Sequence, residues 1–134
     1  MASDEELQAV ATKGGLLGIH SGVGILSSAN RQSVEDIINH IDYCVKLVGI
    51  DHVAIGSDNF FGDKLALHTR TIKNRAEDGL QGYISFTAPY MEGMENPSEW
   101  PNYTRALVKR GYSDQDIQKI IGGNTLRIVE KVVG

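Results

Sequence analysis

The feature that most constrains this chain is a pair of short, unbroken apolar runs, Gly15–Ser21 (GLLGIHS) and His52–Ser57 (HVAIGS), flanking an amphipathic stretch. Neither run alternates polar with apolar residues, so neither reads as a half-solvated strand. Both read as strands of a sheet covered on its two faces. Between them Val34, Ile37, Ile38, Ile41, Val45 and Val48 recur at three and four residues, the stripe of a helix. Ser33 with Asp36 caps its start, and Gly49 stands just past its end. Strand, helix, strand with buried strands is a parallel βαβ unit with a right-handed crossover. The fold class is α/β.

The flanks read as helices and loops. Ser3 and Glu6 form a capping box for a first helix that Gly14-Gly15 stops, with Leu7, Val10 and Ala11 on one face. A Gly- and Ser-rich loop runs from Gly22 to about Gln32. Periodicity lapses from Asn59 to Trp100, a length that points to a functional or disordered loop. Pro101 opens a helix through Tyr103, Leu107 and Val108 that Gly111 ends. Ser113 with Asp116 caps a helix bearing Ile117, Ile120 and Ile121, and Gly122-Gly123-Asn124 breaks it before a last helix through Leu126, Val129 and Val133. Two parallel strands cannot cover themselves. The expectation is therefore that the chain is a piece of a larger domain, with pairing to another chain as the alternative. The uncovered face of the strand pair is expected to expose apolar side chains and drive self-association, so a homo-oligomer is one expectation.

Composition narrows the partners. No apolar run approaches the roughly 18 residues of a membrane span, and Met1 opens no signal-peptide pattern. The net charge is −4 and the 13 Lys and Arg residues are scattered, which argues against a nucleic-acid partner. Cys44 is the single cysteine. It excludes an intrachain disulfide and a cysteine-based metal knuckle, and it fits a reducing, cytoplasmic compartment, any signal peptide lying upstream of this sequence.

Asp58 ends the second strand and opens the longest loop. Reactive groups in α/β folds gather at the carboxyl ends of strands. A carboxylate there can ligate metal, hold a water or move a proton, or it can simply cap a turn. His20 ends the other strand on the same rim and can bind metal or a substrate carboxylate, or hydrogen-bond to a neighbouring loop. His40 on the helix flank and His52 at the strand entry read as structural, and His68 sits in the long loop. There is no HExxH, no His pair at ligand spacing and no G-x-S-x-G elbow, so no self-contained zinc or serine-nucleophile site is written here. Gly22, Gly24 and Ser27 partly match a phosphate-cradling loop but lack its third glycine.

Taken together, four runs resemble one family. Gly49–Asp58 (GIDHVAIGSD) resembles the last-strand motif of the membrane (renal) dipeptidases, peptidase family M19, zinc enzymes with a TIM-barrel fold. Met91–Pro101 (MEGMENPSEWP) resembles that family's loop before its C-terminal helices, and Gly111–Ile117 (GYSDQDI) and Ile121–Arg127 (IGGNTLR) resemble the helices that close its barrel. The resemblance implies the C-terminal part of a TIM (β/α)8 barrel metal-dependent hydrolase, the last two β/α units plus closing helices. A whole barrel takes about 250 residues.

It further implies hydrolysis of dipeptides with two zinc ions, whose ligands belong to earlier strands, so this chain holds no complete metal site and is expected to be inactive alone. Asp58 maps onto the acidic residue that manages the proton of the metal-bound water. His20 and Gly62 are the substrate-side candidates. The family commonly follows its strand with Asp-Phe-Asp-Gly, whereas Asp58-Asn59-Phe60-Phe61-Gly62 is one residue longer before the glycine. The competing reading is a non-catalytic α/β module that binds a partner chain or, through the Gly22 loop, a phosphate ligand.

Overall fold

The computed structural model describes residues 2–22, 32–57 and 91–134. Helix α1, Asp4–Thr12, starts at a reciprocal cap. The Ser3 N–H donates to Glu6 Oε2 at 2.7 Å and the Glu6 N–H donates to Ser3 Oγ at 3.4 Å. Strands β1, Leu17–His20, and β2, Val53–Gly56, pair in parallel, with Leu17 opposite Val53 and His20 opposite Gly56. Both are shorter than the apolar runs that signal them, and β2 is entered through a 3₁₀ turn, Ile50–His52.

Between the strands runs α2, Val34–Val48, with Ser33 and Asp36 forming the cap and Gly49 closing the end at φ 88°. Its Ile37, Ile38 and Ile41 are fully buried, and α2 packs across both strands. Each such side chain contributes about 1.5–3 kcal/mol on leaving water, so this one stripe binds helix to sheet.

Helix α3, Pro101–Arg110, lays Tyr103, Ala106 and Leu107 against α2. It ends at Gly111, whose φ of 94° lies where a Cβ is costly. Arg110 ties the two helices from outside, reaching Glu35 Oε2 and Asn39 Oδ1 at 2.9 and 3.0 Å and also Asp42. Helix α4, Asp114–Gln118, follows a Ser113 cap.

The expected break at Gly122-Gly123-Asn124 is a kink instead. The chain stays wound through a wide π-type turn, Lys119–Gly123, bends at Gly122, and continues as α5, Asn124–Val133. Asn124 has a different task from breaking a helix. Its buried side-chain Nδ2 donates to the Ile50 carbonyl at 2.8 Å and the Val53 carbonyl at 2.9 Å, pinning the closing helix to the entry of β2.

Residues 91–100, the end of the expected long loop, are mostly turn and bend but are anchored to the rest of the fold. Met91 and Met94 are buried in the main core, and Glu92 bridges to the start of α2, its N–H donating to the Gln32 carbonyl at 2.8 Å. Asn96 then caps a 3₁₀ turn, Pro97–Glu99. One bridge and one short turn leave no periodic trace in a sequence. The remainder of the expected loop, residues 59–90, lies outside the described residues.

One expectation needs correction, and it concerns the strand pair. Side chains alternate along a strand, so Leu17, Ile19, Val53 and Ile55, which join the core beneath the helices, share one face. Gly18, His20, Ala54 and Gly56 take the other. A Cβ on Gly56 would come within 3.3 Å of the Gly18 carbonyl carbon, a tight approach that any side chain there would have to ease by a few tenths of an ångström. That face is small rather than broadly apolar, because glycine and alanine lengthen an apolar run without adding area. Among the described residues most of the large exposed apolar side chains lie instead on α5 and beside it, at Leu126, Val129, Val132, Val133, Ile121 and Trp100, with Val10, Tyr43 and Val108 exposed singly on the other helices.

Candidate functional site at the carboxyl ends of the strands

Because His20 is paired with Gly56, β1 and β2 end level, and the residues that follow them emerge on one rim. His20 sits there half-buried. The Gly22 N–H donates to its Nδ1 at 2.6 Å, so that nitrogen is an acceptor and the ring proton belongs on Nε2. The local chain thus orients the imidazole through a backbone donor two residues on.

Ser21, 8% exposed, donates its hydroxyl to the Ser57 carbonyl and ties the two strand ends together. Tyr103 comes up from α3 beneath the same point and is 1% exposed. Its hydroxyl has no hydrogen-bond partner among the described residues. Burial pushes its phenol above the ordinary range, and the neighbouring Ser21 hydroxyl pulls the other way. Next to the rim a cleft of about 410 Å³ opens between Ser57, Ile55, Trp100, Gly122 and Leu126.

Asp58 is covalently the next residue after Ser57, but it and Gly62 lie outside the described residues, as do His68, Gly24 and Ser27. The rim therefore brings together His20 and the strand end that leads to Asp58. His52 is at the opposite end of the sheet, its Nδ1 donating to the Gly15 carbonyl at 2.8 Å, and His40 is on α2, away from the rim. Among the described residues no group of three or more His, Cys, Asp or Glu side chains is placed to hold a metal ion. The sequence reading missed Ser21 and Tyr103. A serine ending an apolar run and a tyrosine on a helical stripe both look like ordinary structure until the fold brings them together.

Solved structures share this fold. An amidohydrolase from Pseudomonas aeruginosa superposes with a TM-score of 0.77 at 26% identity, over 96% of this chain and 39% of its own. A metallopeptidase from Rhodobacter sphaeroides, solved with a phosphinate mimic of the dipeptide L-Ala-D-Ala, superposes with a TM-score of 0.69 at 20% identity, over 96% of this chain and 30% of its own. The fold is thus the C-terminal part of a TIM-barrel-like metal-dependent hydrolase, which accounts for two parallel strands with helices on one side. The sequence pattern of the membrane dipeptidases, peptidase family M19, matches residues 2–69 and 81–133, and the chain belongs to that family of metallopeptidases. Dipeptidase ataJ of Aspergillus terreus is 29% identical over 133 residues, 97% of this chain and 26% of the relative. The chain spans between 18% and 26% of the length of the dipeptidases it first matches.

Proposed function

We propose that this chain is the closing segment of a zinc-dependent dipeptidase and supplies an acid–base group to hydrolysis of the dipeptide bond. The observation that carries the reading is the level ending of β1 and β2, with the β2 end leading directly into Asp58, in a chain of this family. Asp58 takes up the proton of the attacking water and passes it toward the departing amine, the task of a positioned carboxylate. His20, oriented by Gly22, and Gly62 serve the substrate side of the rim. The Rhodobacter sphaeroides neighbour, solved with a dipeptide mimic, supports a dipeptide as the substrate class. Two zinc ions would polarise the scissile carbonyl. The described residues do not fit a site for them, and the family resemblance implies that their ligands sit on earlier strands of the whole barrel.

The test is Asp58→Asn in the whole protein, assayed on a dipeptide panel. It keeps shape and polarity and removes the base, so kcat should fall by about 10²–10⁴-fold with KM moved less. Folding and metal content should hold. A turn-capping role gives the reverse, a lower melting temperature with near-normal kcat. Wild-type turnover would remove Asp58 from the reaction.

A further inference from the structure

We infer that the cleft at the entry of β2, at the opposite end of the sheet from His20, is a binding site for a small oxyanion, a phosphate or carboxylate group. The cleft has a volume of about 590 Å³ and lies between the 3₁₀ turn that enters β2 and the helices that close the chain. That size is within the range of small-molecule sites. Two cationic side chains line it, Lys119 and Arg127, against one carboxylate, Asp51. With His52 neutral the lining carries a net charge of +1, in a chain whose net charge is −4.

The carboxylate is already paired, because Lys119 Nζ lies 2.7 Å from Asp51 Oδ1. The uncompensated cation is Arg127. Its Nη2 donates to the Asp51 carbonyl at 2.7 Å, a bond that orients the group without cancelling its charge. A guanidinium has five N–H donors in a rigid planar fork, so one is spent and the plane of the others is set. Arg127 has no further partner among the described residues. Gln115 and Gln118 line the same cleft three residues apart on α4, and their side chains make no hydrogen bond among the described residues. Each amide carries two more donors. A planar anion takes parallel bonds from an arginine fork, and the amides answer its remaining lone pairs.

The local backbone makes the room. Wide π-type turns occur frequently at functional sites, and the turn Lys119–Gly123 forms part of this wall. Gly123 keeps that wall thin, since a Cβ there would stand 3.0 Å from the Gln118 carbonyl oxygen. Asn124, three residues before Arg127 on α5, holds the Ile50 and Val53 carbonyls at 2.8 and 2.9 Å. The donors therefore stand on elements already fixed to one another, as a selective site requires. An anion held there joins α4 and α5 to the strand entry, on the face away from the rim.

The test is a titration of the 134-residue chain with sodium phosphate and, separately, sodium acetate, followed by amide chemical shifts at a constant ionic strength of about 0.15 M to hold screening fixed. The Asp51, Lys119 and Gly123 amides should shift along one saturable curve, with those of Lys109 and Arg110, a second cationic surface, unmoved. Saturation by phosphate alone assigns a phosphate ligand, and saturation by acetate alone a carboxylate. Saturation by neither, or equal shifts at Lys109 and Arg110, would overturn the inference. Arg127→Gln should weaken binding at least about tenfold, a loss readily resolved as a change in Kd. Arg127→Lys, which keeps the charge and loses the fork, should fall between it and wild type, and Lys109→Gln should change nothing. Should Arg127→Gln lose its folded spectrum, Gln118→Ala carries the same test on the amide side and should weaken binding several-fold. An unchanged dissociation constant in a folded Arg127→Gln, or in Gln118→Ala where that variant stands in, would refute the site.

Discussion

Asn124→Ala removes the buried side chain that joins the closing helix to the entry of β2, where Arg127 adds a more exposed bond to the Asp51 carbonyl at 2.7 Å. Its Nδ2 supplies donors to two carbonyls, those of Ile50 and Val53, at 2.8 and 2.9 Å, and the residue is only 3% exposed. Each buried carbonyl that loses its donor costs about 1–3 kcal/mol. Because a carbonyl has a second lone pair through which it keeps any other partner, the expected sum is about 2–4 kcal/mol. Against a total stability of about 5–15 kcal/mol this is a large share, and it should lower the melting temperature by roughly 10 °C. Urea unfolding should show a lower midpoint with an unchanged slope.

Asn124→Asp sharpens the test. An ionised carboxylate would face two carbonyl oxygens with no proton to give, whereas the neutral acid can still donate to one. The folded state therefore binds the proton more tightly than the unfolded chain, whose aspartate titrates near about 3.9. With the folded value raised, the stability is present below the unfolded value and is lost as pH rises. The loss is about 1.4 kcal/mol per pH unit until the folded value is passed. Relative to wild type, Asn124→Asp should be nearer normal at pH 4 than at pH 7. An alanine variant within about 0.5 kcal/mol of wild type, or an aspartate variant whose deficit is flat with pH, would refute the clamp.

Gly111→Ala should cost about 1–2 kcal/mol through the left-handed backbone alone, because nothing lies within 4 Å of the added Cβ at φ 94°. Asparagine there should recover part of it, and equal losses for both would point to packing instead. Hydrogen bonds from Lys109 and Arg110 hold the Glu35 carboxyl below its ordinary 4.5, so their stabilisation is present above that pH and lost as pH falls through the lower folded value. Both sides are partly exposed, so Glu35→Gln should destabilise by less than about 1 kcal/mol at pH 7 and by progressively less as the pH falls below 4.5. The 134-residue chain alone, given zinc, should turn over no dipeptide above a no-protein control. Turnover there would show that a complete site is present within it.

What the sequence determined by itself are the features made within one helical turn. Ser3 with Glu6, Ser33 with Asp36 and Ser113 with Asp116 declare their helices because each cap bonds to an amide two or three residues on. Gly49 and Gly111 declare helix ends because positive φ is a single-residue property. The parallel pair was legible too, since unbroken apolar runs around an amphipathic helix admit few other arrangements, and so was the family, carried by runs of seven to eleven residues in order. The contacts that join distant segments were decided only by the tertiary structure. Ser21 meets Ser57 across 36 residues, and Asn124 reaches Val53 and Ile50 across 71 and 74. Met91 and Met94 enter a core that their surrounding sequence does not signal. A side chain's partner at such separation depends on how strands and helices pack, and no local pattern encodes it. The physical reason is that a cap's energy is settled by its immediate neighbours, whereas a serine at a strand end acquires its role only when the fold delivers a carbonyl to it.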